Sequence, residues 1–355
     1  MGHKERRSII KEIQKTRGSK LISFITSDRA GNLPQFRVAD DAIRPLHRQL
    51  ESIGETDKID LFLYTRGGST TAAFRIAKLF CSYCKRFSVL APYRCHSAGT
   101  LIAIAADEIV MTKLGELSPI DPSVTSPFNP ESKAGLPKPI SVEDVFGYLD
   151  LSQNKAGLVS ESSKLETFRV LSEKSHPLAL GNVNRAYNEI RLLSEELLKR
   201  HMNEVKDQAK IETIKRELTE TYSHFYPINR ERGKQIGLKV SQNVDPKLEK
   251  LMLDLLNDYV EELRLDKPFD PEEIYGANTE PVYVNVNHAI IESEISTECF
   301  VRNIGIAMGT AQPIQLRLPG MTQPVVIKPH PSVVPKIVKF KIGKWVSLSE
   351  VEDFA

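Results

Sequence analysis

The chain has 355 residues, enough for about two domains, and its 48 Lys and Arg residues nearly balance its 46 Asp and Glu residues, giving a formal net charge of +2. That balance argues against a protein that binds nucleic acid by neutralising phosphates, because such proteins usually carry a clear basic surplus. Hydrophobic residues make up 41% and charged residues 26% of the chain, as in ordinary soluble globular proteins. We therefore expect no nucleic-acid partner.

The start of the chain is charged and lacks the apolar stretch of a signal peptide. The longest low-polarity run, residues 98–106, is much shorter than the ~20 residues that a membrane-spanning helix needs. Four cysteines are too few for a disulfide-stapled secreted domain. The sequence thus predicts a cytoplasmic protein without a membrane span.

Short apolar runs alternate with helical patterns from residue 20 to about 123. The strand candidates are residues 21–25, 60–64, 87–91 and 108–111, and the helix candidates are residues 40–54, 70–85 and 98–106. This alternation predicts an α/β fold, a parallel sheet covered by helices.

The remainder of the chain has a different pattern. A proline-rich loop, residues 122–140, precedes helical segments that include a long candidate helix over residues 182–222 and another over 245–264. We predict a first domain over residues 1–265, a linker over 266–281, and a small β-rich C-terminal domain of unknown role over 282–355.

Two turns carry the strongest chemical signal. Residues 63–70, LYTRGGST, are a strand that ends in paired glycines at a helix start, where backbone N–H groups can remain uncovered for a ligand oxygen. Residues 93–100, YRCHSAGT, place Ser97 before a buried helix, with the N–H of Ala98 available to an oxyanion. Taken singly, a Gly-Gly pair is also a plain tight turn, and such a serine is also a helix N-cap.

Together, in this order, the two turns resemble the active site of the ClpP/crotonase superfamily, and the chain is most similar to the serine dehydrogenase proteinase (SDH) family of ClpP-class peptidases. The matching stretches are residues 20–29, 60–68, 96–103, 106–111, 117–122, 176–183 and 229–238. The resemblance extends from about residue 8 to 265. It implies a ClpP/crotonase-like spiral of βαβ units with a helical insertion, a peptide or protein substrate, and a homo-oligomer.

The resemblance also implies roles for individual residues. Ser97 would be the nucleophile, and the N–H groups of Gly68 and Ala98 would form the oxyanion hole. ClpP uses a histidine as the base, whereas signal-peptide peptidases and NfeD-type proteases use a lysine. His176 resembles the ClpP histidine. Lys138 resembles the lysine of the NfeD-type proteases, and Lys174 resembles that of the signal-peptide peptidases.

Each candidate base also has a structural interpretation. His176 precedes Pro177 and is equally explained as a helix cap, and Lys138 lies between two prolines where a solvated loop lysine is the simpler explanation. The chain departs from the family pattern at Ser118, where glycine is expected, and at Gly233, where alanine is expected.

We expect no cofactor and no metal. The chain has no GxGxxG turn, despite the word "dehydrogenase" in the family name, and its CxxC motif, residues 81–84, lies at the end of an apolar helix where cysteines act as small hydrophobes. The leading hypothesis is therefore a serine endopeptidase of the ClpP class, either ATP-independent or assisted by a partner. The alternatives are a crotonase-like acyl-CoA enzyme and a ClpP-fold peptide-binding protein without turnover.

Overall fold

The helices and strands follow the predicted alternation through the first part of the chain. The computed structural model describes residues 3–31, 33, 35–121, 123–132, 135–220, 226–309, 314–316, 325–327, 334–340 and 343–347. The helices are α1 His3–Arg17, α2 Ile43–Ile53, α3 Thr70–Tyr83, α4 Ala98–Ala103, α5 Val142–Asp150, α6 Glu161–Lys174, α7 Pro177–Lys199, α8 Gln208–Thr219, α9 Arg230–Gln235, α10 Pro246–Leu263 and α11 Pro271–Tyr275. The strands are β1 Lys20–Thr26, β2 Thr56–Tyr64, β3 Cys84–Ala91, β4 Arg94–Cys95, β5 Glu108–Met111, β6 Glu116–Leu117, β7 Ser123–Val124, β8 Ile140–Ser141, β9 Ile228–Asn229, β10 Val282–Ser293, β11 Thr297–Gly309, β12 Ile314–Leu316, β13 Val325–Ile327, β14 Val334–Phe340 and β15 Lys344–Ser347.

The main sheet has the strand order β14-β11-β10-β1-β2-β3-β5, and β15 also pairs with β11. Strands β1, β2, β3 and β5 are parallel neighbours, with Phe24 opposite Leu63 and Leu90 opposite Val110. The predicted α/β fold is confirmed in this parallel half. Parallel strands all end at one edge of the sheet, so the segments that follow β1, β2 and β3 meet there.

Both faces of the parallel strands are buried, and the side chains of β2 show why. Leu61 and Leu63 point into a core formed with α2, α3 and α4, whereas Phe62 and Tyr64 point into a second core formed with α1 and α10. Since side chains alternate along a strand, a run of apolar residues can fill two cores at once. The sheet is therefore the middle layer between two sets of helices.

Four of the six C-terminal strands, β10, β11, β14 and β15, extend the main sheet, whereas β12 and β13 pair with each other in a separate two-stranded sheet. Strand β10 runs antiparallel to β1 and is hydrogen-bonded to it, and β11 continues the sheet from β10. The stretch predicted as a linker, residues 266–281, is also packed: it contains α11, and Phe269 and Tyr275 are buried against β11. The burial of Phe269 just before α11 and of Tyr275 at its end explains why this stretch is packed against the sheet.

The helix predicted over residues 182–222 is two helices, α7 and α8, separated by residues 200–207. Within this break the Nε2 of His201 lies 2.8 Å from the carbonyl oxygen of Ile104, directly after α4. The last predicted residues, 221–222, lie outside the described part of the chain. In the described ranges, no helix is both long enough and apolar enough to cross a bilayer.

Candidate active site

The glycine turn after β2 is held in place by a short ladder with the segment around Val38. The Val38 N–H donates to the carbonyl oxygen of Gly67 at 2.9 Å, and the Ser69 N–H donates to the carbonyl oxygen of Val38 at 2.8 Å. Both of these hydrogen bonds with Val38 are thus made by the residues that flank Gly68, which are Gly67 and Ser69. In such a parallel ladder the intervening residue directs its own N–H to the opposite side, so the Gly68 N–H points away from Val38.

Only glycine fits at both positions of this turn. Gly67 has φ +107° and Gly68 has φ +154°, in the region that residues with a Cβ rarely adopt. A Cβ on Gly68 would lie 2.2 Å from the carbonyl oxygen of Val38, and a Cβ on Gly67 would lie 2.8 Å from the Cβ of Ser97. The turn therefore lies directly against Ser97, as the two motifs predict.

Ser97 has an unusual backbone conformation. With φ 49° and ψ −107°, it is one of two non-glycine residues with positive φ in the described part of the chain, and the other, Arg264, has the ordinary left-handed conformation of a helix end. Ser97 is the N-cap residue of α4, yet its side chain makes no capping hydrogen bond. Strain of this kind costs about 1–3 kcal/mol and is found at functional sites. A capping role, the simpler interpretation of this serine, is thus not supported by its hydrogen bonds.

Ser118 holds the backbone of Ser97, a contact that the sequence did not predict. The Ser97 N–H donates to the Ser118 hydroxyl oxygen at 2.8 Å, and the Ser118 hydroxyl donates to the carbonyl oxygen of Pro119 at 2.9 Å. The hydroxyl of Thr100 accepts from the Ser118 N–H at 3.1 Å. The serine that departs from the family pattern therefore has a specific role at this site. The other departure, Gly233, also has a local reason, since a Cβ there would lie 2.9 Å from a methyl of Val240.

Two backbone amides remain available beside Ser97. Ala98 is the first residue of α4, so its N–H has no carbonyl one turn earlier to bond within the helix. In the described residues, neither this N–H nor that of Gly68 has a hydrogen-bond acceptor. Donors fixed in advance are what a developing oxyanion requires. Ser97 itself is 7% exposed, so the approach to it is narrow.

His176 is a helix cap in the structure. Its Nδ1 accepts the N–H of Leu178 at 3.2 Å at the start of α7, and its exposed ring stacks on Phe128 with 4.9 Å between ring centroids. A neutral imidazole that accepts at Nδ1 carries its proton on Nε2. In this conformation Nε2 cannot take a proton from Ser97, so a catalytic role would require His176 to release its cap.

The two candidate lysines lie on exposed positions. The Lys138 backbone is anchored, since its N–H donates to the carbonyl oxygen of Pro130 at 2.8 Å, but its side chain is exposed. Lys174 is exposed in the last turn of α6. A lysine must lose its hydration before it can act as a base. Within the described residues, no hydrogen bond joins Ser97 to either lysine or to His176.

His96, directly before Ser97, is paired with a carboxylate that the sequence did not identify. Its ring is nine-tenths buried, and its Nε2 lies 3.0 Å from Oε1 of Glu116 on β6. The two residues are 20 apart in sequence, and the pairing of β4 with β6 brings them together. An imidazole paired with a carboxylate is a familiar element of serine peptidases, so His96 is compared with the other candidate bases below.

An acidic cavity of about 660 Å³ lies along α5, away from the two turns. Its walls include Glu143, Asp144, Glu220 and the ring of Tyr187, and Ser97 is not among them. Burial, together with three neighbouring carboxylates, raises the pKa of Glu143 to about 7. Glu143 therefore holds a proton at higher pH than an exposed glutamate does.

Comparison with known proteins supports the resemblance seen in the motifs. Residues 2–132 match the sequence model of the ClpP-like SDH-type serine proteinases, so the predicted resemblance is confirmed. The matched span includes the glycine turn, Ser97, Ala98 and Ser118, but none of Lys138, Lys174 and His176.

Two uncharacterized proteins of Methanocaldococcus jannaschii are similar over a longer stretch. MJ1495 is 25% identical over 248 residues, which are 68% of this chain and 74% of that protein. MJ0137 is 27% identical over 253 residues, which are 70% of this chain and 77% of that protein. The similarity therefore continues well beyond residue 132.

Three solved structures have a partial likeness to this chain. A membrane-bound stomatin-specific protease in complex with a substrate peptide is 12% identical with a TM-score of 0.35, covering 59% of this chain and 72% of that one. ClpP1 from Listeria monocytogenes is 14% identical with a TM-score of 0.33, covering 65% and 96%. The ClpP catalytic domain from Plasmodium falciparum is 13% identical with a TM-score of 0.33, covering 70% and 96%.

Proposed function

We propose that this chain, whose N-terminal part matches the ClpP-like SDH-type serine proteinases, is a serine endopeptidase that works through an acyl-enzyme on Ser97. The observation that carries the proposal is the conformation of Ser97: a strained residue whose hydroxyl does not cap its helix, packed against the Gly67–Gly68 turn. Strain that the surroundings maintain, at a serine beside two unbonded amides, suits a nucleophile better than a structural residue.

The chemistry follows from this arrangement. The Ser97 Oγ attacks the peptide carbonyl carbon while a base takes the hydroxyl proton, and a tetrahedral intermediate forms. The Gly68 and Ala98 N–H groups bind its negatively charged oxygen. The base then returns the proton to the leaving amine as the C–N bond breaks, and water hydrolyses the resulting ester on Ser97.

A fluorophosphonate probe tests this proposal in the intact protein. Wild type is expected to gain one phosphonyl group, located on Ser97 by peptide mass spectrometry, and Ser97→Ala is expected to gain none and to lose cleavage of a denatured protein substrate. An unlabelled Ser97 in wild type, with peptide cleavage unchanged in Ser97→Ala, would rule the proposal out. Turnover of an acyl-CoA thioester that survives Ser97→Ala would favour a crotonase-like enzyme, and peptide binding without labelling would favour a binding protein.

The base is assigned by comparing four variants in the same assay. His176→Ala, Lys138→Ala, Lys174→Ala and His96→Ala are labelled side by side, and the variant that removes the base is expected to lose ~10²-fold or more in acylation rate. The other three should stay near the wild-type rate because they do not touch the transferred proton. Equal rates in all four variants would show that none of these residues is the base.

We also propose a homo-oligomer in the cytoplasm. Helix α6 supports this: Leu165 and Phe168, about one turn apart, are 71% and 53% exposed, whereas Thr167 is buried. Three acidic and three basic residues alternate along α6, so two antiparallel copies would place opposite charges together. Sedimentation velocity should reveal species heavier than the 39.9 kDa chain, and a purely monomeric profile would contradict this proposal. Cleavage of a denatured protein substrate by the same preparations, measured with and without ATP, tests whether the peptidase is ATP-independent.

A further inference from the structure

A buried carboxylate joins the two segments that lead into the proposed active site. Asp28, just beyond β1, has a side chain that is only 5% exposed. Its Oδ2 accepts hydrogen bonds from Arg66 Nε and from Arg94 Nη1, each at 2.8 Å, and its Oδ1 accepts from the Tyr64 hydroxyl at 2.9 Å. One carboxylate group therefore receives three donors from two different stretches of the chain.

Each of the two arginines stands shortly before one of the two turns. Arg66 directly precedes the Gly67–Gly68 turn, and Arg94 stands three residues before Ser97. Between them the backbones are paired, since the Thr65 N–H donates to the carbonyl oxygen of Arg94 at 2.8 Å and the His96 N–H donates to that of Thr65 at 3.0 Å. Asp28 accepts hydrogen bonds from both arginines next to this backbone pairing. These bonds therefore help to set the distance between the two turns.

The Tyr64 hydroxyl and the Arg94 guanidinium are both held in place as donors to Asp28. Burial and the nearby Asp28 raise the pKa of Tyr64, so its hydroxyl remains a donor. The Arg94 guanidinium also lies over the Tyr93 ring, 4.4 Å from its centroid. Without the Asp28 charge, two guanidinium groups would face each other with no anion between them, and like charges in a partly buried place repel.

We propose that Asp28 is a positioning residue for acylation: by holding Arg66 and Arg94 together, it fixes the distance between the Gly68 amide and Ser97. This inference rests on the proposed function. A displacement of well under 1 Å between nucleophile and oxyanion donors is enough to slow acyl transfer. Asp28 does not touch the substrate in this account, and its effect passes through the two arginines.

The substitution Asp28→Asn keeps the size of the side chain and removes its charge. The matched control is Asp60→Asn, because Asp60 is also a buried aspartate, bonded to Arg17 at 2.9 and 3.2 Å, but lies in the middle of β2 and not beside the two turns. Both variants lose a buried charge pair, so both should unfold at lower temperature than wild type. Only Asp28→Asn should impair the chemistry.

The readout is the rate constant for phosphonylation of Ser97 at saturating probe, measured per folded molecule, together with the probe concentration at half-saturation. Asp28→Asn is expected to lower the rate constant 10- to 100-fold with half-saturation unchanged, and Asp60→Asn is expected to stay within twofold of wild type. A wild-type rate constant in Asp28→Asn, or an equal loss in Asp60→Asn, would overturn the inference while leaving the proposed function intact. Absence of labelling in wild type would overturn both.

Discussion

Replacing Gly68 by alanine is expected to lower the rate of acylation at Ser97 by ~10²–10³-fold, the loss typical of removing one oxyanion donor. A Cβ on this residue would lie 2.2 Å from the carbonyl oxygen and 2.6 Å from the nitrogen of Val38, both backbone atoms of a paired segment. Since φ is +154° there, the alanine is also strained at its own backbone. The turn must shift, and the amide it presents to the substrate oxygen moves with it.

Phosphonylation kinetics and a thermal melt check this prediction together. Gly147→Ala is the matched control, because Gly147 lies within α5, and a Cβ there would meet no atom within 4 Å. That variant should acylate at the wild-type rate and be slightly more stable, since alanine is the better helix former. Normal acylation in a folded Gly68→Ala protein would show that its amide is not an oxyanion donor.

Replacing Arg6 by leucine is expected to lower the free energy of unfolding by about 3–5 kcal/mol, the cost of breaking a buried charge pair. Arg6 is fully buried in α1 and donates to Asp258 at 2.6 Å and to Glu292 at 2.5 Å, with both carboxylate side chains themselves buried. Its guanidinium also lies 4.8 Å from the centre of the Tyr259 ring. Leucine would remove this guanidinium from two buried carboxylates, at the contact between α1, α10 and β10.

Urea denaturation provides the measurement for this second prediction. The matched control is Arg169→Leu, since Arg169 is paired with two carboxylates, Glu166 and Glu173, on the exposed surface of α6, whereas Arg6 is paired with Asp258, Glu262 and Glu292. Exposed pairs contribute about 0–1 kcal/mol, so the control should hardly change the urea midpoint. Equal midpoints for the two variants would show that the buried network at Arg6 contributes no more than a surface ion pair does.

Local sequence signals predicted the parallel half of the fold and the two turns beside Ser97. Strands such as β2 and helices such as α3 have a periodicity that short windows reveal, and the paired glycines at 67 and 68 stand out because few residues tolerate their conformation. These features depend on neighbours within a few residues.

Contacts between distant residues account for what the sequence did not reveal. The pairing of β1 with β10 joins residues more than 260 positions apart, so the sequence did not show that β10 and the strands paired to it extend the main sheet. The same holds within the site, where Ser118 bonds Ser97 from 21 positions away and Asp28 bonds Arg94 from 66 away. A serine or an aspartate in a loop has no periodic pattern that shows its partner.

His176 illustrates a different limit of sequence reasoning. A histidine before a proline at the start of a helix is consistent with both a base and a cap, and its residue type cannot distinguish them. The structure shows the cap, made by Nδ1 to the Leu178 N–H. The labelling rate of His176→Ala tests whether His176 is also the base. A histidine whose cap opens on substrate binding would serve as both cap and base.

The most direct test of the oxyanion site is a crystal structure of the protein after reaction with a fluorophosphonate. The account predicts a phosphorus–oxygen bond to Ser97 Oγ, with the phosphonyl oxygen about 2.7–3.1 Å from the amide nitrogens of both Gly68 and Ala98. An adduct on another residue, or a phosphonyl oxygen directed away from these two amides, would contradict it.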